Sequence, residues 1–139
     1  MNHFQPIAEQ MIAEMETLAR RLDVSGVMLV ASMDKDGLSW ISHMKAVETI
    51  KVEPENTEGN AWPGYNFIGI AYSKVAEMAD PRLNSGSKIR PAYQGEFGYS
   101  GGVIHEAENG YILTVFSGAT EEIDQKIAQA GLDSYLSGC

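Results

Sequence analysis

Two turn dipeptides constrain the fold more than any other feature of this chain. Asp36-Gly37 lies between apolar segments at 27–33 and 38–46, and Asn109-Gly110 lies between segments at 103–107 and 111–116. A tight turn needs residues that tolerate positive φ, so each pair predicts an antiparallel hairpin. Helical periodicity surrounds both. Phe4, Ile7, Met11, Met15, Leu18 and Leu22 recur at three- and four-residue steps, with Ala8, Ile12 and Ala19 widening the stripe. Phe67, Ala71, Val75 and Met78 repeat the spacing until Asp80-Pro81 stops it. Ile123, Ile127 and Leu132, with Ala128 and Tyr135, carry it again after Thr120. The order is therefore helix, hairpin, helix, hairpin, helix. That order defines an α+β domain with a mainly antiparallel sheet, because a doubly wound parallel sheet needs strands and helices alternating singly.

End signals agree. Pro6 suits a first helical turn, acids lie early and Arg20 and Arg21 late in the first helix, and residues 23–26 end it. Thr120 is an N-cap, followed by Glu121 and Glu122. Two stretches lack periodicity. Residues 48–64 read as an acidic, solvated loop. Residues 82–100, broken by Gly86, Pro91, Gly95 and Gly98, read as irregular with a short strand near 90–93.

A chain of 139 residues makes one domain, 1–139, able to bury a core without disulfides or metal. Its 10 basic residues against 19 acidic ones leave a net charge of −9, which provides no footprint for nucleic acid or an anionic membrane. No apolar run approaches the roughly 18 residues of a membrane span, and the opening residues form no secretory signal, so a cytoplasmic protein is expected. Cys139 is the single cysteine, which excludes an internal disulfide.

The candidate site residues carry limited chemistry. His43 and His105 fall mid-strand on different hairpins, where a sheet could bring them together. They have no third partner at zinc-ligand spacing, although one axial histidine suffices for haem iron. Asp34-x-Asp36-Gly37 opens like a calcium loop, but Lys45 stands where the bidentate Glu belongs, so the segment reads as a turn. Gly95, Gly98, Gly101 and Gly102 enter a strand and lack the Gly-Lys-Ser/Thr ending of a phosphate loop. Ser117-Gly118-Ala119-Thr120 joins a strand end directly to a helix start. Free N–H groups and the helix dipole converge there on a carboxylate or phosphate, or the segment is a plain capping turn. Nothing assembles a nucleophile, base and acid, so no catalytic residue is assigned.

Gly101-Gly102-Val103-Ile104, the hairpin after it, and Ser117-Gly118-Ala119-Thr120 followed by Asp124, Ala128 and Ala130-Gly131-Leu132 resemble the GlcG-like, haem-binding-protein family, which includes the C-terminal domain of PduO-type adenosyltransferases. Asp34-x-x-Gly37 and Ala71-x-x-Lys74-Val75-x-x-Met78-Ala79 agree with it. The resemblance implies a profilin-like, three-layer α/β/α domain with a mainly antiparallel five-stranded sheet. It also implies homo-oligomers, and haem binding or sensing in some members, with others accessory to glycolate or diol metabolism. The expected function is a non-catalytic, oligomeric small-molecule binder. Haem or a small carboxylate would sit between an apolar sheet face and Ser117, Gly118, Ala119 and Thr120, near Gly101, Gly102, Tyr99, His43 and His105. The alternatives are a roadblock-like interaction scaffold and an enzyme acting on small hydroxy acids.

Overall fold

In the computed structural model, which describes residues 3–138, both hairpins form and share one sheet. In chain order the elements are α1 (Phe4–Arg21), β1 (Gly26–Asp34), β2 (Trp40–Val47), β3 (Lys51–Val52), β4 (Glu55–Thr57), β5 (Asn60–Trp62) and β6 (Tyr65–Asn66). They continue with α2 (Phe67–Ala79), β7 (Gly102–Ala107), β8 (Gly110–Ser117) and α3 (Glu121–Gly138). Cys139 lies outside the described residues. The central sheet runs β2-β1-β8-β7, antiparallel throughout.

Strand β1 explains the layering. Alternate side chains point to opposite faces. Val27, Leu29, Ala31 and Met33 meet α2 residues Phe67, Ala71, Val75 and Met78 on one face. Met28 and Val30 meet Ala8, Met11, Met15 and Ile127 of α1 and α3 on the other. An inner strand covered on both faces reads as a continuous apolar run, as 27–33 does. The result is the α/β/α sandwich, with α1 and α3 together on one side and α2 alone on the other. The first turn of α1 holds no acid, although Arg20 and Arg21 do occupy its last turn.

The sheet has four strands, not five, and residues 90–93 form none. The place beside β7 is taken by loop residues whose side chains bond the strand's free edge. Ser85 N donates to Gly102 O at 3.2 Å, Gly102 N to Ser85 Oγ at 2.8 Å, and Ile104 N to Asn84 Oδ1 at 3.0 Å. Such contacts satisfy backbone groups without any two-residue periodicity, so no strand pattern announces them. Farther along, the Arg90 guanidinium donates to Glu96 at 2.8 and 3.0 Å, pairs with Asp80 at 2.9 Å, and stacks 3.6 Å from the Tyr93 ring.

This clamp gives a first prediction. The Arg90 guanidinium holds the Glu96 carboxyl below the ordinary carboxylate range. A carboxylate depressed in the folded state contributes stability above its unfolded pKa and loses it as pH falls through the folded one. Amide protection factors across 82–100, taken relative to the unfolded chain at the same pH, should therefore fall as the pH drops below the ordinary carboxylate range, about 4, while the central strands stay protected. Glu96→Gln should exchange fast in that loop already at neutral pH. Equal protection in the variant would show that the clamp does not hold the loop.

Residues 48–64 are not a plain loop. Strands β3 and β6 pair, β4 and β5 pair beyond them, and the whole is a nested two-stranded arm. Pro54 and Pro63 fall between the two ladders, where a missing N–H interrupts the pairing. The arm's residues are mostly exposed, so no alternation marks them. The second hairpin also differs from its cue. Ala107 pairs with Gly110, leaving Glu108-Asn109 as the turn. Gly110 is not left-handed; a Cβ there would run into the Met33 carbonyl oxygen of β1. Its glycine serves a close backbone approach rather than a turn.

Candidate functional site

The connection from β8 to α3 lies where three elements converge. Asn66 caps α2, its Oδ1 accepting from Ile68 N at 3.0 Å and Gly69 N at 3.2 Å. From that start, Phe67, Ile70 and Lys74 share one side of the helix at three- and four-residue steps. That side faces residues 117–120, the first turn of α3, and Tyr99. Between them lies a cavity of about 280 Å³. Phe67, Ile70, Tyr65 and Tyr99 supply aromatic and apolar walls; Ser117, Thr120 and Glu121 supply polar ones. Tyr99 stacks on Phe97 and Tyr65 on Phe67, which fixes both tyrosines.

A buried ion pair forms part of the lining. Lys74 is 1% exposed and Asp124 is 4% exposed. Lys74 Nζ donates to Asp124 Oδ2 at 3.0 Å and to the Phe116 carbonyl at 2.8 Å. Asp124 Oδ1 accepts from Ala119 N at 2.8 Å. Burial pulls Lys74 below the ordinary lysine range and pushes Asp124 above the ordinary carboxylate range, each opposed by the attraction of the other. Gly101 backs onto the pair, since a Cβ there would run into Lys74 Nζ.

The helix start is already filled by the chain's own groups. Ala119 N–H goes to Asp124, Ile123 N–H to Thr120 Oγ1 at 3.3 Å, and Asp124 N–H to the Thr120 carbonyl at 2.8 Å. Glu121, Glu122 and Asp124 all stand in the first turn. An anion arriving here meets the Glu121 and Asp124 carboxylates along with the dipole.

Of the residues singled out in the sequence, Ser117, Gly118, Ala119, Thr120 and Tyr99 line this cavity. Gly101 touches it only through Lys74 and Asp124, and Gly102 instead packs against Met78 and Ser85. The histidines do not reach it. His43 and His105 occupy the two edge strands, with β1 and β8 between them, which separates them by roughly 14 Å at ordinary strand spacing. Register places both on the α1/α3 face, where His43 lies 5.8 Å from the Phe4 ring and His105 lies 6.0 Å from that of Tyr135. They do not meet. Asp34 and Asp36 spend their carboxylates on the turn, accepting from Leu38 N and Ser39 N. No group of three or more His, Cys, Asp or Glu among the described residues could hold a metal ion.

Lys74 and Asp124 enter the sequence reading only as positions that match the family resemblance, with no site role. A signal existed: each interrupts an otherwise apolar helix face, and the two carry opposite charge. Tyr65 had no signal because the arm that carries it reads as a loop, and Phe67 and Ile70 read simply as the apolar side of a helix. A larger cavity, about 490 Å³, lies inside the loop between Pro81 and Gly98 and shares only Glu77 with α2.

No family model matches the chain, and no curated protein matches it. Solved structures do, and the class they define is the three-layer α+β domain described above. One is the crystal structure of Klebsiella pneumoniae protein ORFY, described with the family model DUF336. It matches with a TM-score of 0.64 and 18% identity, over 95% of this chain and 89% of that one. The likeness shows the shared fold. No described helix is long and apolar enough to cross a membrane.

Proposed function

We propose that the protein is a GlcG-like small-molecule-binding domain whose ligand occupies the cavity between α2, Tyr99 and the start of α3. The carrying observation is the combination of aromatic walls with the buried Lys74–Asp124 pair in a single concave site. The DUF336 fold likeness and the strand–helix motif at residues 117–120 support the same reading. The function is binding rather than turnover, in a cytoplasmic protein that self-associates. The outer strand β2 favours association: α2 packs over β1, β8 and β7, while Trp40 and Met44 on the same sheet face remain 52% and 40% exposed.

The ligand in this reading is small and uncharged. A cavity of 280 Å³ sits at the lower edge of the roughly 300–1,000 Å³ of ordinary ligand pockets. Haem is not the ligand in this reading. The lining offers no imidazole, thiolate or thioether, both histidines lie across the sheet, and the phenols of Tyr65 and Tyr99, the remaining axial candidates, belong to rings stacked on Phe67 and Phe97. Haemin should therefore scatter without a saturating Soret band. Saturation that disappears in His43→Ala would overturn this.

Thermal shift against a library of small neutral molecules tests the site. At about 100 Kd a ligand adds roughly 2.7 kcal/mol, several degrees for a domain of this size. Ile70→Trp should fill the cavity and abolish the shift, and His43→Ala/His105→Ala should leave it unchanged. A ligand whose shift survives Ile70→Trp binds elsewhere.

A further inference from the structure

We propose that Lys74 captures small neutral aldehydes covalently, holding them as an imine inside the cavity at the start of α3. The inference rests on the cavity being the ligand site and adds the chemistry of what it takes. Lys74 is a lining residue of that cavity although it is 1% exposed, and its Nζ has three donors with two acceptors, the Phe116 carbonyl and Asp124 Oδ2. Asp124 is the proton partner, 3.0 Å away. Burial favours the neutral form of both groups, so a proton passed from Lys74 to Asp124 leaves an amine and a carboxylic acid in a desolvated site.

The other lysines differ. Lys35, Lys45 and Lys51 are half-exposed ammonium groups paired with Glu106, Glu16 and Glu53, and Lys88 and Lys126 are exposed. Hydrated ammonium is not nucleophilic at neutral pH.

The cavity also selects the carbonyl compound. Two carboxylates, Asp124 and Glu121, face the single ammonium of Lys74, so a keto acid or phosphorylated aldehyde is repelled. Phe67, Ile70 and Tyr99 receive an alkyl chain.

The step balances without oxidant or reductant. Lys74 gives one proton to Asp124, and its nitrogen lone pair forms a bond to the carbonyl carbon as the C=O π pair moves to oxygen. A second nitrogen proton passes to that oxygen, forming a carbinolamine. Asp124 returns its proton to the hydroxyl, the C–O bond breaks, and water leaves with the carbonyl oxygen. The iminium that remains is paired with the Asp124 carboxylate.

The test is reductive trapping on the whole protein. Butanal with cyanoborohydride at neutral pH, followed by peptide mass mapping, should place a butyl group on Lys74 in clear excess over each surface lysine, because burial holds its amine below the ordinary lysine range. Ile70→Trp should remove the Lys74 label and leave surface labelling unchanged. Butanoate, of the same length but charged, should not raise Tm. Labelling confined to surface lysines would overturn the inference. If butanal or butan-1-ol raises Tm without labelling Lys74, the cavity remains a binding site and the imine is wrong. If neither a shift nor a label appears, both readings fall.

Discussion

Replacing Asp124 with Ala should cost about 3–5 kcal/mol and lower Tm by roughly 10–20 °C. The change leaves Lys74, 1% exposed, with only the Phe116 carbonyl as acceptor, and it removes the acceptor of Ala119 N–H. Lys74 must then shed its proton or drag water into the sheet–helix boundary. Lys74→Met should cost less, since Asp124 keeps its bond from Ala119 N and can take up a proton. The double variant Lys74→Met/Asp124→Ala should lose less than the sum of the two single losses, by a coupling of about 1–3 kcal/mol in thermal or denaturant unfolding. Additive losses would mean the pair is not the strut that ties α2 to the β8–α3 connection.

Gly26→Ala should be nearly as damaging. Gly26 begins β1 at φ 152° and Gly118 follows β8 at φ 146°. Their backbones lie against each other. A Cβ at Gly26 would run into the Ser117 carbonyl oxygen and one at Gly118 into the Ser25 carbonyl oxygen, and neither obstacle is a flexible side-chain end. Overpacking of about 1–3 kcal/mol adds to backbone strain of about 1–3 kcal/mol, so either substitution should cost about 2–6 kcal/mol. Gly59→Ala is the control. Its φ is 76° but a Cβ there meets nothing within 4 Å, so it should lose only about 1–2 kcal/mol. Equal losses at positions 26 and 59 would show that the left-handed backbone, and not the close approach, sets the cost. One consequence concerns the site: Gly118 substitutions disturb the sheet as well as the cavity, so they do not report on binding alone. Ile70→Trp is the cleaner probe.

The helices and hairpins were legible because their signals are local. The stripe from Phe67 to Met78 and the stop at Asp80-Pro81 correspond to α2, and the run 27–33 lies within β1. Each signal reflects which side chains share a face within a few residues. The arm at 51–66 was not legible, since short strands exposed on both sides carry no alternation. Neither was the cover on β7, where Asn84 and Ser85 satisfy the edge through side-chain oxygens.

Part of the cavity could be placed at residues 117–120, because a strand running straight into a helix leaves N–H groups that need partners. The identity of those partners could not. Asp124 supplies one of them from within the helix, and Lys74 arrives from 50 residues away. The histidines show the converse: both are strand residues, as read, yet the order β2-β1-β8-β7 puts them on opposite edges. Taken by itself, the sequence determined the kinds of element, most of their limits, and the α+β class, because periodicity and turn chemistry act over a few residues. The tertiary structure alone decided strand order, the fifth-strand position and the buried pair, because those depend on contacts between segments that sequence spacing does not encode.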